Sequence, residues 1–182
     1  MTLRSIEGGR ASDGGRAGTD SRAGAFAADR SGVRPDPRAP QMPWLALYLA
    51  VKDMDASLDF YSRAFGFAPG TAIRDEQGAL VHAEMEYKGE IPLMFMPETA
   101  ADCAAPAPVT LGITMPVFFY IYHDDVDALF EQARQAGATV EMAPADMPWG
   151  DRMASLVCPN GYRWSFATHA GQPDDPPPET AA

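Results

Sequence analysis

The residues best suited to acid–base or metal chemistry lie in the short stretch "VHAEMEY", residues 81 to 87. His82, Glu84 and Glu86 alternate there, and side chains two positions apart in a β-strand share one face. Imidazole and carboxylate groups exchange protons and bind divalent ions. We therefore take His82 and Glu84 as the candidate catalytic residues. Two alternatives stay open: a structural His82 with satisfied hydrogen bonds, and a solvated row of acids on a half-exposed strand.

A second stretch with chemical potential is "PWGDR", residues 148 to 152, which precedes a predicted strand. Asp151 could orient the guanidinium of Arg152 toward a carboxylate or phosphate of a ligand. Trp149 would contact the same ligand. The alternative is a structural loop in which Trp149 covers the core. His123 and His169 are interpreted as surface residues.

Aromatic residues on one face of two predicted strands indicate a binding site. The stretch "WLALYLAV", residues 44 to 51, alternates aliphatic residues with a mixed face, and "VFFYIYH", residues 117 to 123, has an aromatic face. An aromatic-lined concave site suits a planar or cationic organic ligand. The alternative is that these rings fill the site or pack between elements. The candidate ligand-binding residues are Trp44, Tyr48, His82, Phe95, Phe118, Tyr120, Tyr122, Trp149, Arg152, Arg163 and Ser165.

The elements that position these residues come in two copies. The stretch "KDMDASLDFYSRAFGF" matches "HDDVDALFEQARQAGA" at an offset of 71 residues, and such a match is typical of a duplicated unit. Each stretch predicts a helix, with Asp53 and Asp124 as N-caps and Gly66 and Gly137 as C-cap glycines. One strand pattern precedes each helix and three follow it. The sequence therefore predicts an α+β fold of two tandem βαβββ modules.

The predicted modules span residues 43–97 and 116–170, joined by a linker at 98–115, within one domain at 41–170. Residues 1–40 are rich in Gly, Ala, Arg and Asp without apolar periodicity, so we predict a disordered N-terminal segment. Residues 171–182 are predicted to be a disordered, acidic, Pro-rich tail.

The first helix and its surroundings, "DMDASLDFYSRAFG", resemble the vicinal oxygen chelate superfamily of glyoxalases, bleomycin-resistance proteins and dioxygenases. The PhnB-like branch is the most similar, through "YLAVKD", "HAEMEYKGE", "PWGDR" and "NGYRWSFATH". The resemblance implies a glyoxalase/bleomycin-resistance/dioxygenase fold with a cleft shared by the two modules, and a homodimer. One departure is "CPNGY", where the branch usually has Asp-Pro-Phe-Gly-His. The acid and the imidazole of that motif are lost.

The resemblance also implies where a metal ion would bind. Metal-using members place four ligands, mostly His and Glu, on the cleft strands. We located these positions by their spacing from the Asp that begins each helix, Asp53 or Asp124, and from the Gly of each last hairpin, Gly89 or Gly161. They fall on Ala46, Phe118, Ser165 and an apolar residue within 93–95. Such residues are poor ligands for a divalent ion. We therefore predict no metal and no cofactor, unless His82 and Glu84 join donors from a dimer partner.

Two functions follow from these observations. The first is a metal-independent small-molecule-binding protein of the glyoxalase/bleomycin-resistance type, which holds an aromatic or cationic ligand in the cleft between the modules. The alternative is a metal-dependent lyase, isomerase or dioxygenase, in which the ion polarises the vicinal oxygens of a substrate. The missing ligands favour the first, although the sequence leaves open whether the protein is an enzyme.

Composition restricts the partners. Residues 41–170 carry 17 acidic and seven basic side chains, and the whole chain has a net charge of −11. This argues against a nucleic-acid partner and favours a cationic ligand or simply solubility. No apolar run reaches membrane-spanning length, so no membrane partner is predicted. Cys103 and Cys158 fit no zinc or CxxC spacing, and two reduced thiols predict a cytoplasmic location.

Overall fold

The computed structural model of the chain describes residues 36–100 and 106–171. From Arg38 onward these residues belong to one compact unit. The segments predicted to be disordered, 1–40 and 171–182, fall almost entirely outside the described residues, as does Cys103. Their predicted disorder therefore stays a prediction.

The first module is a βαβββ unit, as predicted. Its elements are β1 (Leu47–Val51), α1 (Met54–Phe65), β2 (Ala68–Arg74), β3 (Leu80–Tyr87) and β4 (Glu90–Pro97). The strand order in its sheet is β1-β4-β3-β2, with β1 parallel to β4 and the other pairs antiparallel. The crossover through α1 therefore places β1 at the sheet edge, beside the last strand of the module.

The second module repeats this topology. Its elements are β5 (Phe118–Tyr122), α3 (Val126–Gln135), β6 (Thr139–Asp146), β7 (Asp151–Val157) and β8 (Arg163–His169). The order β5-β8-β7-β6 has the same single parallel pair, β5 with β8. The α+β duplication is thus confirmed. The linker contains a short helix, α2 (Pro108–Leu111), which we did not predict.

The first helix begins and ends where the sequence predicts. Asp53 accepts a hydrogen bond from the backbone N–H of Ala56 at 2.9 Å, which satisfies one of the free donors of the first turn. Gly66 ends the helix at φ +73°. A left-handed backbone of this kind favours glycine, because a Cβ there is crowded by the carbonyl oxygen of its own local backbone.

The predicted N-cap of the second helix was wrong by one residue. Asp125, not Asp124, accepts the hydrogen bond from the N–H of Ala128, at 3.0 Å. Asp124 instead forms an ion pair of 2.6 Å with Lys88 in the β3–β4 turn. The helix ends at Gln135 with Ala136 as its C-cap, and Gly137 follows at φ +100°.

One hydrophobic core serves both modules. Tyr61 of α1 is fully buried, and its ring centroid lies 4.9 Å from Phe95 in the first sheet and 5.5 Å from Trp164 in the second. Its hydroxyl donates to the sulfur of Cys158 at 3.4 Å and accepts from the indole N–H of Trp164 at 3.2 Å. Both sheets therefore turn one face inward, onto the same aromatic residues and helices.

The departure at "CPNGY" has a structural explanation. The buried amide of Asn160 donates to Ser57 Oγ at 2.9 Å and accepts from the backbone N–H of Lys52 at 3.0 Å. The hydroxyl of Tyr162 donates to the carbonyl of Ala50 at 2.8 Å. These two residues of the β7–β8 turn thus bind the second module to the first.

We expect Tyr61→Phe to lower the free energy of unfolding by about 1–3 kcal/mol, because it leaves the buried indole N–H of Trp164 without its acceptor. Denaturant unfolding checks this, with Tyr48→Phe, at a half-exposed position, as the control that should change little. Equal losses in both variants would show that the buried hydroxyl is not the stabilising group.

Candidate functional site

Each sheet has one face against the core and one open face, set by the alternation of its strands. On the first sheet, Tyr48 of β1 and His82 and Glu84 of β3 share the open face. On the second sheet, the open face carries residues of β5, β7 and β8, namely Phe118, Tyr120, Tyr122, Asp151, Ser155, Arg163, Ser165 and His169. Most of the predicted site residues therefore lie on the open faces, as alternation indicated.

The second open face is organised around a buried carboxylate. Asp151 is 3% exposed, and its Oδ2 accepts hydrogen bonds from Tyr120 Oη at 2.6 Å, Tyr122 Oη at 3.1 Å and Trp149 Nε1 at 3.1 Å. The three rings are about half exposed, at 43%, 55% and 52%. We call these three aromatic residues with Asp151 the aromatic cluster. Their polar atoms converge on one oxygen, which fixes the orientation of all three rings.

His169 is the functional candidate that sequence reasoning missed. Its Nδ1 lies 2.7 Å from Asp151 Oδ1, although its side chain is exposed, as predicted. The signal was available, because His169 continues the alternation of Arg163, Ser165 and Ala167 on the open face. Its place at the strand end led us to interpret it as an ordinary surface residue.

The charge of Asp151 is stabilised by its neighbours. Burial alone would raise the pKa of this carboxyl group, but hydrogen bonds from Tyr120, His169, Tyr122 and Trp149 outweigh burial, so the pKa lies below its ordinary value. Burial and the adjacent carboxylate raise the pKa of Tyr120 to about 12. At neutral pH the cluster therefore holds one buried negative charge and a protonated Tyr120 phenol.

The predicted role of Asp151 in orienting Arg152 was wrong. Adjacent strand residues point to opposite faces, so Arg152 lies on the side of α3. There it forms ion pairs with Asp127 at 2.6 Å and Asp146 at 2.9 Å. Hydrogen bonds from these carboxylates raise the pKa of Arg152 above its ordinary value. With its guanidinium bound in this way, Arg152 is not positioned to meet a ligand beside Asp151.

Arg163 lies on the open face, as predicted, but its charge is balanced. Its Nε is 3.0 Å from both carboxylate oxygens of Glu141. The guanidinium carbon lies 3.7 Å from the ring centroid of Phe118, a cation–π geometry. Nearby, the buried hydroxyl groups of Ser165 and Ser155 are 2.9 Å apart. Arg163 therefore leaves little net positive charge on this face.

Two predicted ligand-binding residues lie elsewhere. Phe95 is fully buried on the core face of β4, against Tyr61, because it shares the parity of Leu93 rather than that of Met94. Trp44 precedes β1, which begins only at Leu47, and is 77% exposed beneath the guanidinium of Arg38 at 4.6 Å. These two positions are corrections to the predicted site.

The first open face carries the predicted acid–base pair. His82 Nε2 lies 3.5 Å from Glu84 Oε1, an ion-pair distance if the imidazole is protonated. On the other side of the ring, His82 Nδ1 is hydrogen-bonded to Tyr48 Oη at 2.9 Å. The imidazole therefore joins a phenol on β1 to a carboxylate on β3.

The donor set does not fit a metal ion. The mapped ligand positions hold Ala46, Phe118 and Ser165, and the open-face residue of β4 beside Tyr48 is Met94. Within residues 36–100 and 106–171, no group of three His, Cys, Asp or Glu side chains could hold a metal ion. We therefore derive no reaction step through a metal.

The model of the Glyoxalase/Bleomycin resistance protein/Dioxygenase superfamily matches residues 41–166. The chain belongs to this superfamily. Two uncharacterized mycobacterial proteins, one from Mycobacterium bovis and one from Mycobacterium tuberculosis, are 35% identical to this chain over 133 residues. The match covers 72% of this chain and 84% and 75% of those relatives. The finer resemblance to the PhnB-like branch stays a prediction.

Solved structures with this superfamily fold include TioX from a Micromonospora species, at 26% identity and a TM-score of 0.56, covering 69% of this chain and 97% of that one. Another is TnmS3, an antibiotic-binding protein from a Streptomyces species, at 20% identity and a TM-score of 0.52, covering 75% and 99%. The second likeness shows the fold alone. No helix within the described ranges is long and apolar enough to cross a membrane.

We expect Asp151→Asn to lower the free energy of unfolding at pH 7 by about 2–4 kcal/mol, because the amide cannot accept from four donors. The carboxylate has a lowered pKa in the folded state, so its contribution is present above the unfolded pKa of about 3.9 and is lost as the pH falls below it. The difference in the free energy of unfolding between Asp151→Asn and the natural protein should therefore become smaller in acid. Denaturant unfolding from pH 7 to pH 3 measures this difference.

The matched control is Asp124→Asn, which removes an exposed carboxylate paired with Lys88 and should change stability little. A difference between Asp151→Asn and the natural protein that stays constant down to pH 3 would contradict a charged Asp151.

Proposed function

We propose that this protein binds a small organic cation on the open face of its second sheet, without a metal ion. The observation that carries the proposal is the aromatic cluster, in which three half-exposed rings share one buried carboxylate. Aromatic rings attract cations through their π-electrons, and partial desolvation strengthens the attraction.

The orientation of the hydroxyl groups favours a cation over an anion. Tyr120 and Tyr122 donate their protons inward, to Asp151. Their outward-facing groups are oxygen lone pairs and ring electrons, which carry partial negative charge. The donors that an anion would require are thus already bound to the buried carboxylate.

The charges around the cluster act in the same direction. Arg163 is paired with Glu141, and Arg152 is paired with two carboxylates outside the open face. Residues 41–170 are strongly acidic as a whole, which raises the local concentration of cations near the surface. The antibiotic-binding relative TnmS3 supports binding of a small molecule by this fold, while the ligand class rests on the side chains here.

The test compares choline with 3,3-dimethyl-1-butanol, which has nearly the same shape and no charge. We expect choline to bind about tenfold more tightly, as a desolvated cation–π contact provides, when both are titrated by calorimetry at low salt. Tyr120→Leu should remove most of this preference, whereas Val109→Ala, at an exposed position on the linker helix, should keep it. Equal affinity for the two compounds would contradict a cation site.

We further propose that a homodimer encloses the site. Large apolar side chains on both open faces are exposed in the single chain, Ile73 at 50% and Phe118 at 44% among them. A monomer rarely leaves such surfaces uncovered. A second copy that lays its open face on this one would bury them and convert a half-exposed aromatic cluster into a cleft.

Sedimentation velocity at micromolar concentration should then give twice the mass of the chain. Met94→Lys, on the open face of the first sheet, should shift the protein toward the monomer and weaken choline binding. Leu111→Lys, which adds the same charge at an exposed position of the linker helix, should leave the dimer intact. A monomeric natural protein, or dissociation by both variants alike, would contradict this arrangement.

The metal-dependent alternative has less support in the site. It requires three or four ligands, and no group of three His, Cys, Asp or Glu side chains within residues 36–100 and 106–171 could hold an ion. A dimer could add residues from the partner, but the Asp151 carboxylate on the second open face is already hydrogen-bonded to four groups. The proposed binding function therefore rests on side chains that are present.

A further inference from the structure

The open face of the first sheet carries a chain of three polar groups that ligand binding at the second sheet does not use. Tyr48 Oη lies 2.9 Å from His82 Nδ1, and His82 Nε2 lies 3.5 Å from Glu84 Oε1. The phenol and imidazole rings meet edge to face, with centroids 5.6 Å apart. The side chains of His82 and Glu84 are only 20% and 19% exposed, whereas Tyr48 is 48% exposed. The imidazole and the carboxylate are therefore mostly covered, and the phenol is the exposed group of the three.

The carboxylate favours one tautomer of the imidazole. A neutral histidine carries its proton on one ring nitrogen and a lone pair on the other. A lone pair on Nε2 would point toward the negative Glu84, whereas an N–H there is attracted to it. The proton of the neutral ring is thus favoured on Nε2, which leaves Nδ1 as the acceptor of the Tyr48 hydroxyl proton. This is the arrangement in which a carboxylate orients a histidine as a general base.

We propose that Tyr48, His82 and Glu84 form a proton relay that makes the Tyr48 phenol a reactive nucleophile toward an electrophilic carbonyl compound. This activity goes beyond cation binding, and none of the three residues belongs to the aromatic cluster. Tyr48 is the group that touches the substrate, His82 is the general base, and Glu84 is a positioning residue that also stabilises the imidazolium ion.

The step with an activated ester is balanced in atoms and charge. The phenol oxygen of Tyr48 forms a bond to the carbonyl carbon while its proton passes to His82 Nδ1. The tetrahedral intermediate then collapses, and the leaving alkoxide or phenoxide departs with the electron pair of the broken carbon–oxygen bond. The acyl group remains on Tyr48. The imidazolium, held beside Glu84, returns its proton to the leaving group or to water.

The second sheet provides an internal comparison for this chemistry. Tyr120 occupies the corresponding place there, on the edge strand that runs parallel to the last strand of its module. Its hydroxyl donates to the carboxylate of Asp151 rather than to an imidazole. A carboxylate with a lowered pKa is a weak base, so it holds the phenol proton without accepting it at neutral pH. The two phenols therefore differ in the group that would take the proton.

The test uses p-nitrophenyl acetate with EDTA present. Release of p-nitrophenolate follows the reaction, and peptide mass spectrometry locates the acetyl group. We expect acetylation of Tyr48 at least about 100-fold faster than that of Tyr120, the range that a general base supplies. The rate should reach a plateau well below pH 10, because an imidazole rather than hydroxide takes the proton. An unassisted phenol would instead keep reacting faster up to about pH 10.

Three variants separate catalysis from packing. Tyr48→Phe should abolish the acetylation at this site, and an unchanged rate of p-nitrophenolate release in this variant would show that another group is the nucleophile and overturn the proposal. His82→Gln keeps a hydrogen-bonding side chain beside Tyr48, so a purely structural histidine would leave the rate unchanged, whereas the relay predicts a loss of about 100-fold. Glu84→Gln should slow the reaction and lower the pH at which the plateau is reached, because the imidazolium loses the carboxylate that stabilises it.

The acetylation rates of Tyr48 and Tyr120 can be compared in the natural protein, without any variant. This comparison tests the relay even if a substitution prevents folding. Equal labelling of the two residues, or a Tyr48 rate that climbs steadily to pH 10, would overturn the relay. Loss of choline binding in the aromatic cluster would not affect this result, so the two proposals fail independently.

Discussion

The constraint on which the structure depends is that two sheets share one aromatic core. Tyr61 touches Phe95 on one side and Trp164 on the other, and its hydroxyl satisfies the buried indole. A sheet has only two faces, so committing one of each to this core leaves the other two open. Duplication of the module therefore produces a stable unit and, at the same time, two open surfaces on which polar and aromatic residues can be varied without disturbing the core.

A buried charge then gives the second open face its character. Removing Asp151 from water is costly unless every lone pair finds a donor, and Tyr120, Tyr122, Trp149 and His169 supply those donors. The hydrogen bonds that offset the free energy cost of burying Asp151 therefore also fix the orientation of the Tyr120, Tyr122 and Trp149 rings. In the first sheet, the imidazole of His82 lies beside Tyr48 instead, and our proposal assigns it the acceptor role. A carboxylate acceptor holds a phenol proton, and an imidazole acceptor can remove one, so similar tyrosines acquire different chemistry.

Local sequence patterns, such as strand alternation and helix caps, predict most of the fold and part of the candidate site. Strand alternation correctly placed Tyr48, Tyr120 and Arg163 on open faces, and the same rule, applied more strictly, would have separated Asp151 from Arg152 and Phe95 from Met94. The N-cap error arose because Asp124 and Asp125 are both suitable residues, and in the structure it is Asp125 whose side chain reaches the backbone N–H of Ala128. The convergence on Asp151 could not be predicted, because it depends on how the β6–β7 turn meets β5 in three dimensions.

The most direct test of the account is a proton–nitrogen NMR titration of the natural protein with choline. The chain has three tryptophans, and their indole resonances report on separate places: Trp149 in the aromatic cluster, Trp164 in the core and Trp44 before the first strand. The account predicts a saturable shift of the Trp149 indole resonance, with Trp164 and Trp44 almost unmoved. A Trp149 resonance that stays fixed while choline shifts other signals, or while nothing shifts, would contradict a cation site built on Asp151.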